Sequence, residues 1–203
     1  LVQVNAEPAG PVMSALREVL DPWLGEPQWK QSKGRVTFKY GFESEDSPPI
    51  RMRLKIEINS REHFSVFGLS RIPLEVSSRW FTGNAGIPTY ELDELMGTKL
   101  RALYQRRKGR DLFDLATALD HHPEINPERI VAAFLEYMGR DGHHVSRALF
   151  EQNIHAKLQD PQFSADIGPL LAPGYAWEMD KAAEKVGTRL IASLPGEPWK
   201  GDN

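Results

Sequence analysis

Apolar and polar residues alternate along residues 35–42 (RVTFKYGF) and 50–59 (IRMRLKIEIN), which is the period of a half-buried strand. The second run sets Ile50, Met52, Leu54, Ile56 and Ile58 on one face, expected to be core, and Arg51, Arg53, Lys55, Glu57 and Asn59 on the other. An acidic, proline-bearing turn over residues 43–49 separates the two runs. Shorter strand-like pieces cover residues 1–5, 64–67 and 72–76, and the Gly/Asn-rich TGNAG reads as a turn. Ahead of the strands, Pro11 opens a helix with Ala15, Leu16, Val19 and Leu20 on one side, expected to stop before Pro22.

From residue 90 the period lengthens to that of helices. Residues 90–119 (YELDELMGTKLRALYQRRKGRDLFDLATAL) read as two helices joined at Gly109. Further helices are predicted over 127–138, 145–158, 163–171 and 177–194, with breaks at Gly139, Asp141-Gly142, Pro161 and Pro173-Gly174. The tail PGEPWKGDN is expected to fray. The pattern predicts an α+β part over residues 1–89 and an all-helical domain over residues 90–203.

One position breaks the helical pattern. Leu92, Leu95, Met96, Leu100 and Leu103 form an apolar arc, and Lys99 falls inside it. Desolvating an unpaired ammonium costs several kcal/mol, so such a lysine snorkels, finds an anion or gives up its proton. Two readings stand side by side: a core lysine paired with Asp111 or Asp114, or a point charge that holds a phosphate.

Asp111 and Asp114 open the second helix, where acids complement the dipole, and Arg110 is placed to pair with Asp114 at i,i+4. Arg106, Arg107 and Lys108 are either a charge set at a helix C-terminus or a contact for a phosphate or RNA backbone. Glu57 shares the polar strand face with Arg53 and Lys55. It is either one member of a solvated ion-pair surface or a carboxylate offered to a metal.

Composition narrows the field. The 203 residues carry a net charge of -3, so there is no global pull toward nucleic acid and any basic character is local. The chain has no cysteine, which excludes disulfides and thiolate chemistry and suits a reducing compartment. No apolar run approaches the roughly 18 residues of a membrane helix, so a cytoplasmic protein without a membrane partner is expected. The histidines form the pairs His121-His122 and His143-His144 plus His63 and His155, without HxxxH spacing, so no histidine metal centre is expected. Phosphate-loop, nucleophile-elbow and dinucleotide glycine motifs are all lacking.

The block YELDELMGTKLRALYQRRKGRDLFDL, preceded by LKIEIN and RWFTGNAG and followed by DPQFSADIGPLL, resembles the AbiEii/AbiGii toxin family of nucleotidyltransferase-like proteins of abortive-infection and type IV toxin–antitoxin systems. The resemblance implies a polymerase-β-like nucleotidyltransferase sheet followed by a helical domain. It implies a nucleotide transferred from a nucleoside triphosphate (NTP) to an acceptor, with tRNA among those its relatives use, and an antitoxin as possible partner. Lys99, with Arg106 and Arg110, would then contact nucleotide phosphates. Asp111 or Asp114 would supply a late catalytic aspartate, and Glu57 a third carboxylate for Mg²⁺. The family's opening Gly-Ser or Gly-Gly helix and its DxD strand are not in this sequence, and Leu1 is expected to fall where that strand would end. Nucleotidyl transfer by this chain alone is therefore expected to fail, which leaves a non-catalytic RNA- or antitoxin-binding module as the alternative.

Overall fold

In the computed structural model, which describes residues 8–59, 62–79 and 81–201, helix α1 (Gly10–Leu24) precedes strands β1 (Gln28–Ser32), β2 (Arg35–Glu43) and β3 (Arg51–Asn59). The strand-like run over residues 1–5 lies outside the described residues. The three strands form an antiparallel sheet in the order β1-β2-β3. β1 escapes a pattern search because QWKQS is exposed throughout; its place comes from the two-residue turn at Lys33 and Gly34 that pairs Ser32 with Arg35. Val36, Phe38 and Tyr40 on β2 are buried with Leu24 and Ile58, and Met13, Leu16 and Leu20 of α1 pack on them.

Two expectations fail here. The apolar face of β3 is core only at Ile58 and in part at Ile56, while Ile50, Met52 and Leu54 are 59%, 45% and 36% exposed. α1 packs on β2, and β3 as the outer strand keeps only one end under that cover. Nor does α1 stop before Pro22. Asp21 accepts hydrogen bonds from Arg17 Nε (2.8 Å) and from Tyr40 Oη (2.9 Å), which fastens the last turn to β2 and carries the helix through the proline.

The chain divides into two compact units, Leu1–Ser65 and Val66–Asn203. The sequence pattern changes at residue 90, but the second unit already takes in an antiparallel hairpin, β4 (Leu69–Ser77) with β5 (Thr82–Tyr90). TGNAG is not its turn. Gly83, Asn84, Ala85 and Gly86 pair with Val76, Glu75, Leu74 and Pro73, and the chain reverses at Ser78, whose N–H donates to Phe81 O at 2.9 Å. Cross-strand register here overrides weak strand propensity. Residues 64–67 form no strand either, because the amides of Val66 and Phe67 bond to a glutamate side chain instead of a ladder.

The helices are α2 (Leu92–Gln105), α3 (Gly109–His121), α4 (Pro127–Arg140), α5 (Arg147–Leu158), α6 (Pro161–Ala165) and α7 (Met179–Arg189), with short 3₁₀ turns at Gly168–Leu170 and Ile191–Ser193. Helix and sheet are thus mixed in an α+β chain. Asn126, Ser146 and Asp160 accept first-turn N–H groups and fix where α4, α5 and α6 begin. The tail is held rather than frayed at Trp199, whose N–H donates to Glu151 Oε2 at 2.7 Å and whose ring lies 4.9 Å from that of His155.

Close approach sets the helix packing. The buried stripe of α2 runs through Glu94, Gly97, Leu100 and Leu103, because Gly97 lets α4 approach: a Cβ there would lie 2.6 Å from Ala133 Cβ. This rotates Lys99 to the flank of the stripe. At Gly109 a Cβ would stand 2.3 Å from Phe163 O. Gly109→Ala is therefore expected to push α3 from α6 and cost about 1–3 kcal/mol, read as a lower urea midpoint with unchanged slope.

Candidate functional site

α2 ends at Gln105, Arg106 turns out in an extended conformation, and α3 starts at Gly109. This short connection brings the cations of one helix over the aspartates of the next. Asp111, the third residue of α3, is fully buried, and its Oδ1 accepts from Arg106 Nη2 at 2.8 Å. Lys99 Nζ lies 3.5 Å from the same oxygen and 2.5 Å from Asp114 Oδ2. The side chains of Lys99 and Asp114 are 35% and 38% exposed, so the pair opens to solvent above a buried carboxylate. Asp111 Oδ2 is buried and has no hydrogen-bond partner among the described residues.

Arg110 departs from expectation. It does not join Asp114 at i,i+4, because Asp114 is held by Lys99; its Nε lies 3.9 Å from Asp166 Oδ2 and its N–H donates to that oxygen at 3.4 Å. The neighbouring cations turn the same way. Arg107 Nη1 faces Asp160 at 3.6 Å, and Lys108 Nζ bonds Asp166 Oδ1 at 3.0 Å. Burial pushes the Asp166 carboxyl up, but Lys108, the Arg110 N–H and the two cationic charges outweigh it and leave the group below its ordinary value. The basic turn is thus clamped to the residues around α6, and Gly109 is what allows the approach.

Lys157 is the residue that sequence reading passed over. On α5, 6% exposed, its Nζ donates to Leu103 O and, at 2.6 Å, to Tyr104 O, two carbonyls of the last turn of α2. It follows Phe150 and Ile154 along one helix face, so the conflict that marks Lys99 marks it too. Burial above all, helped by the charge of Arg107 and opposed by that of Asp111, brings its ammonium down to about 8. An unfolded lysine keeps its proton to roughly 10.4, so between these values the unfolded chain binds more protons and stability should rise with pH. In that window the urea midpoint is expected to climb in the wild type relative to Lys157→Met.

Glu57 lies in the first unit. Its carboxylate, 44% exposed, stands 2.9 Å from Lys55 Nζ and 3.8 Å from Arg35 Nη1. The hydrogen bond from Lys55 outweighs desolvation and holds its carboxyl below the usual range. Among the described residues no group of three or more His, Cys, Asp or Glu side chains is placed to hold a metal ion. Asp111 and Asp114 are engaged by Lys99 and Arg106, whose charges oppose a divalent cation. This donor set does not fit Mg²⁺. Among the described residues no helix is long and apolar enough to cross a membrane.

The family model described as nucleotidyl transferase AbiEii toxin, Type IV TA system, matches residues 2–185. No curated protein and no solved structure matches the chain.

Proposed function

Because the chain belongs to the AbiEii family of nucleotidyl transferase toxins of type IV toxin–antitoxin systems, we propose that its second unit binds the phosphates of an NTP through Lys99 for nucleotidyl transfer to an RNA acceptor, tRNA being the proposed class. The observation that carries this reading is the half-exposed ammonium of Lys99 between Asp111 and Asp114. Without nucleotide the lysine is held by two carboxylates. A triphosphate competes for it as a denser anion and displaces the exposed, weakly worth pair to Asp114, while buried Asp111 keeps the ammonium oriented. Developing negative charge on the phosphates then meets a fixed cation that needs little rearrangement.

Strands β1, β2 and β3 are proposed as part of a polymerase-β-like sheet, and Glu57 as a carboxylate on its polar face. An antitoxin is proposed as the cognate counterpart of this toxin. A non-catalytic RNA-binding module would draw on the basic turn, but Arg107, Lys108 and Arg110 already face Asp160 and Asp166. The test incubates the full-length protein and its Lys99→Ala variant with labelled NTPs, Mg²⁺ and cellular RNA. Labelling that requires Lys99 supports transfer. Equal labelling by both removes Lys99 from the mechanism, and salt-sensitive RNA binding without labelling favours the binding module.

A further inference from the structure

Lysine is rarely buried, and Lys157 is 6% exposed and donates two hydrogen bonds to the backbone of another helix. Leu103 O and Tyr104 O belong to the last turn of α2, where carbonyls lack an intrahelical partner; the next N–H, that of Arg106, goes to Ala102 O. The ammonium therefore closes a helix end from outside, where the negative pole of the dipole favours it. A methionine of similar length would be buried without the charge penalty, yet would leave both carbonyls unsatisfied.

What sits on either side of that helix end gives the contact its consequence. Lys99 lies four residues before Leu103, one helical turn back on the same side, and Arg106 follows two residues after Tyr104. Both cations meet α3 at one carboxylate, Asp111, at 3.5 Å and 2.8 Å. A shift of the end of α2 would move the two cations together relative to α3. Asp111 lies close enough for its charge to act on Lys157, so the lysine stands behind the same cluster that Lys99 presents to solvent.

We propose that Lys157 is a positioning residue for the phosphate site: from α5 it fixes the last turn of α2 so that Lys99 and Arg106 stand over Asp111. This rests on the reading of Lys99 as the triphosphate-binding group. Lys157 itself is buried and contacts no substrate. A cap that served only folding would leave the affinity of the folded protein unchanged when removed, whereas a positioning role moves it.

Isothermal titration with inorganic triphosphate, run on the full chain well below its melting temperature, separates the two. Wild type, Lys99→Ala, Lys157→Met and Lys157→Gln are compared, with circular dichroism confirming that each is folded; Lys157→Gln keeps a donor without the charge should the Met variant fail to fold. The expected result is binding lost in Lys99→Ala and weakened about tenfold in Lys157→Met, with Lys157→Gln between it and the wild type. If binding depends on Lys99 but folded Lys157 variants match the wild type, the positioning role is overturned while the phosphate site stands. If Lys99→Ala binds as well as the wild type, or the wild type binds nothing, the phosphate site falls and the positioning role falls with it.

Discussion

In the full-length protein Lys99→Ala is expected to lower nucleotide transfer by about a hundredfold or more while leaving the fold intact. The two effects separate because of where Lys99 sits. Its pair with Asp114 is exposed on both sides, 35% and 38%, and such pairs contribute about 0–1 kcal/mol. Asp111, the buried partner, keeps Arg106 at 2.8 Å after Lys99 is gone. For a chain of this length a loss of that size shifts the melting temperature by about 2–4 °C at most. A fall in activity with an unchanged melting curve therefore reports on the site. A collapse of both would assign Lys99 to the structure.

The reverse pattern is expected at Glu94. Its side chain is fully buried, and its carboxylate accepts from Val66 N at 2.8 Å, Phe67 N at 2.9 Å and Tyr137 Oη at 2.8 Å. Glu94→Ala would strand three donors around a cavity, a loss of about 3–5 kcal/mol. That exceeds a third of the stability of many domains, so the variant should show a large drop in urea midpoint. Amides of Val66 and Phe67 should also lose hydrogen-exchange protection, since the glutamate is what holds them. Glu94 also marks where the strand expected over residues 64–67 went, because its carboxylate takes the amides that a ladder would have used.

Helical periodicity located the two helices around Gly109 and singled out Lys99 correctly as a lysine in need of an anion. It could not place Lys99 to within one flank of α2, because Gly97 and its close approach to α4 decide which side of the helix is buried. Partners far along the chain were equally out of reach. Lys108 and Asp166 are 58 residues apart and Lys157 and Leu103 are 54 apart, and no local spacing rule joins them. Glu94 stands in the first turn of α2, where the helix dipole alone accounts for an acid, so nothing in the local pattern marks it as buried. In the strands the alternation of β3 was real, but alternation shows only that one face is apolar; what covers Ile50, Met52 and Leu54 is a matter of neighbouring elements. At TGNAG, composition argued for a turn and register prevailed.

Lys99 is proposed to exchange a carboxylate for a phosphate, and competition tests this most directly. The affinity for inorganic triphosphate is measured for wild type, Asp114→Asn and Lys99→Ala. Asp114→Asn removes the charge that occupies Lys99 at 2.5 Å. It is expected to bind at least as tightly as the wild type, and Lys99→Ala to lose binding. Unchanged affinity in Lys99→Ala, or weaker binding in Asp114→Asn, would contradict the exchange.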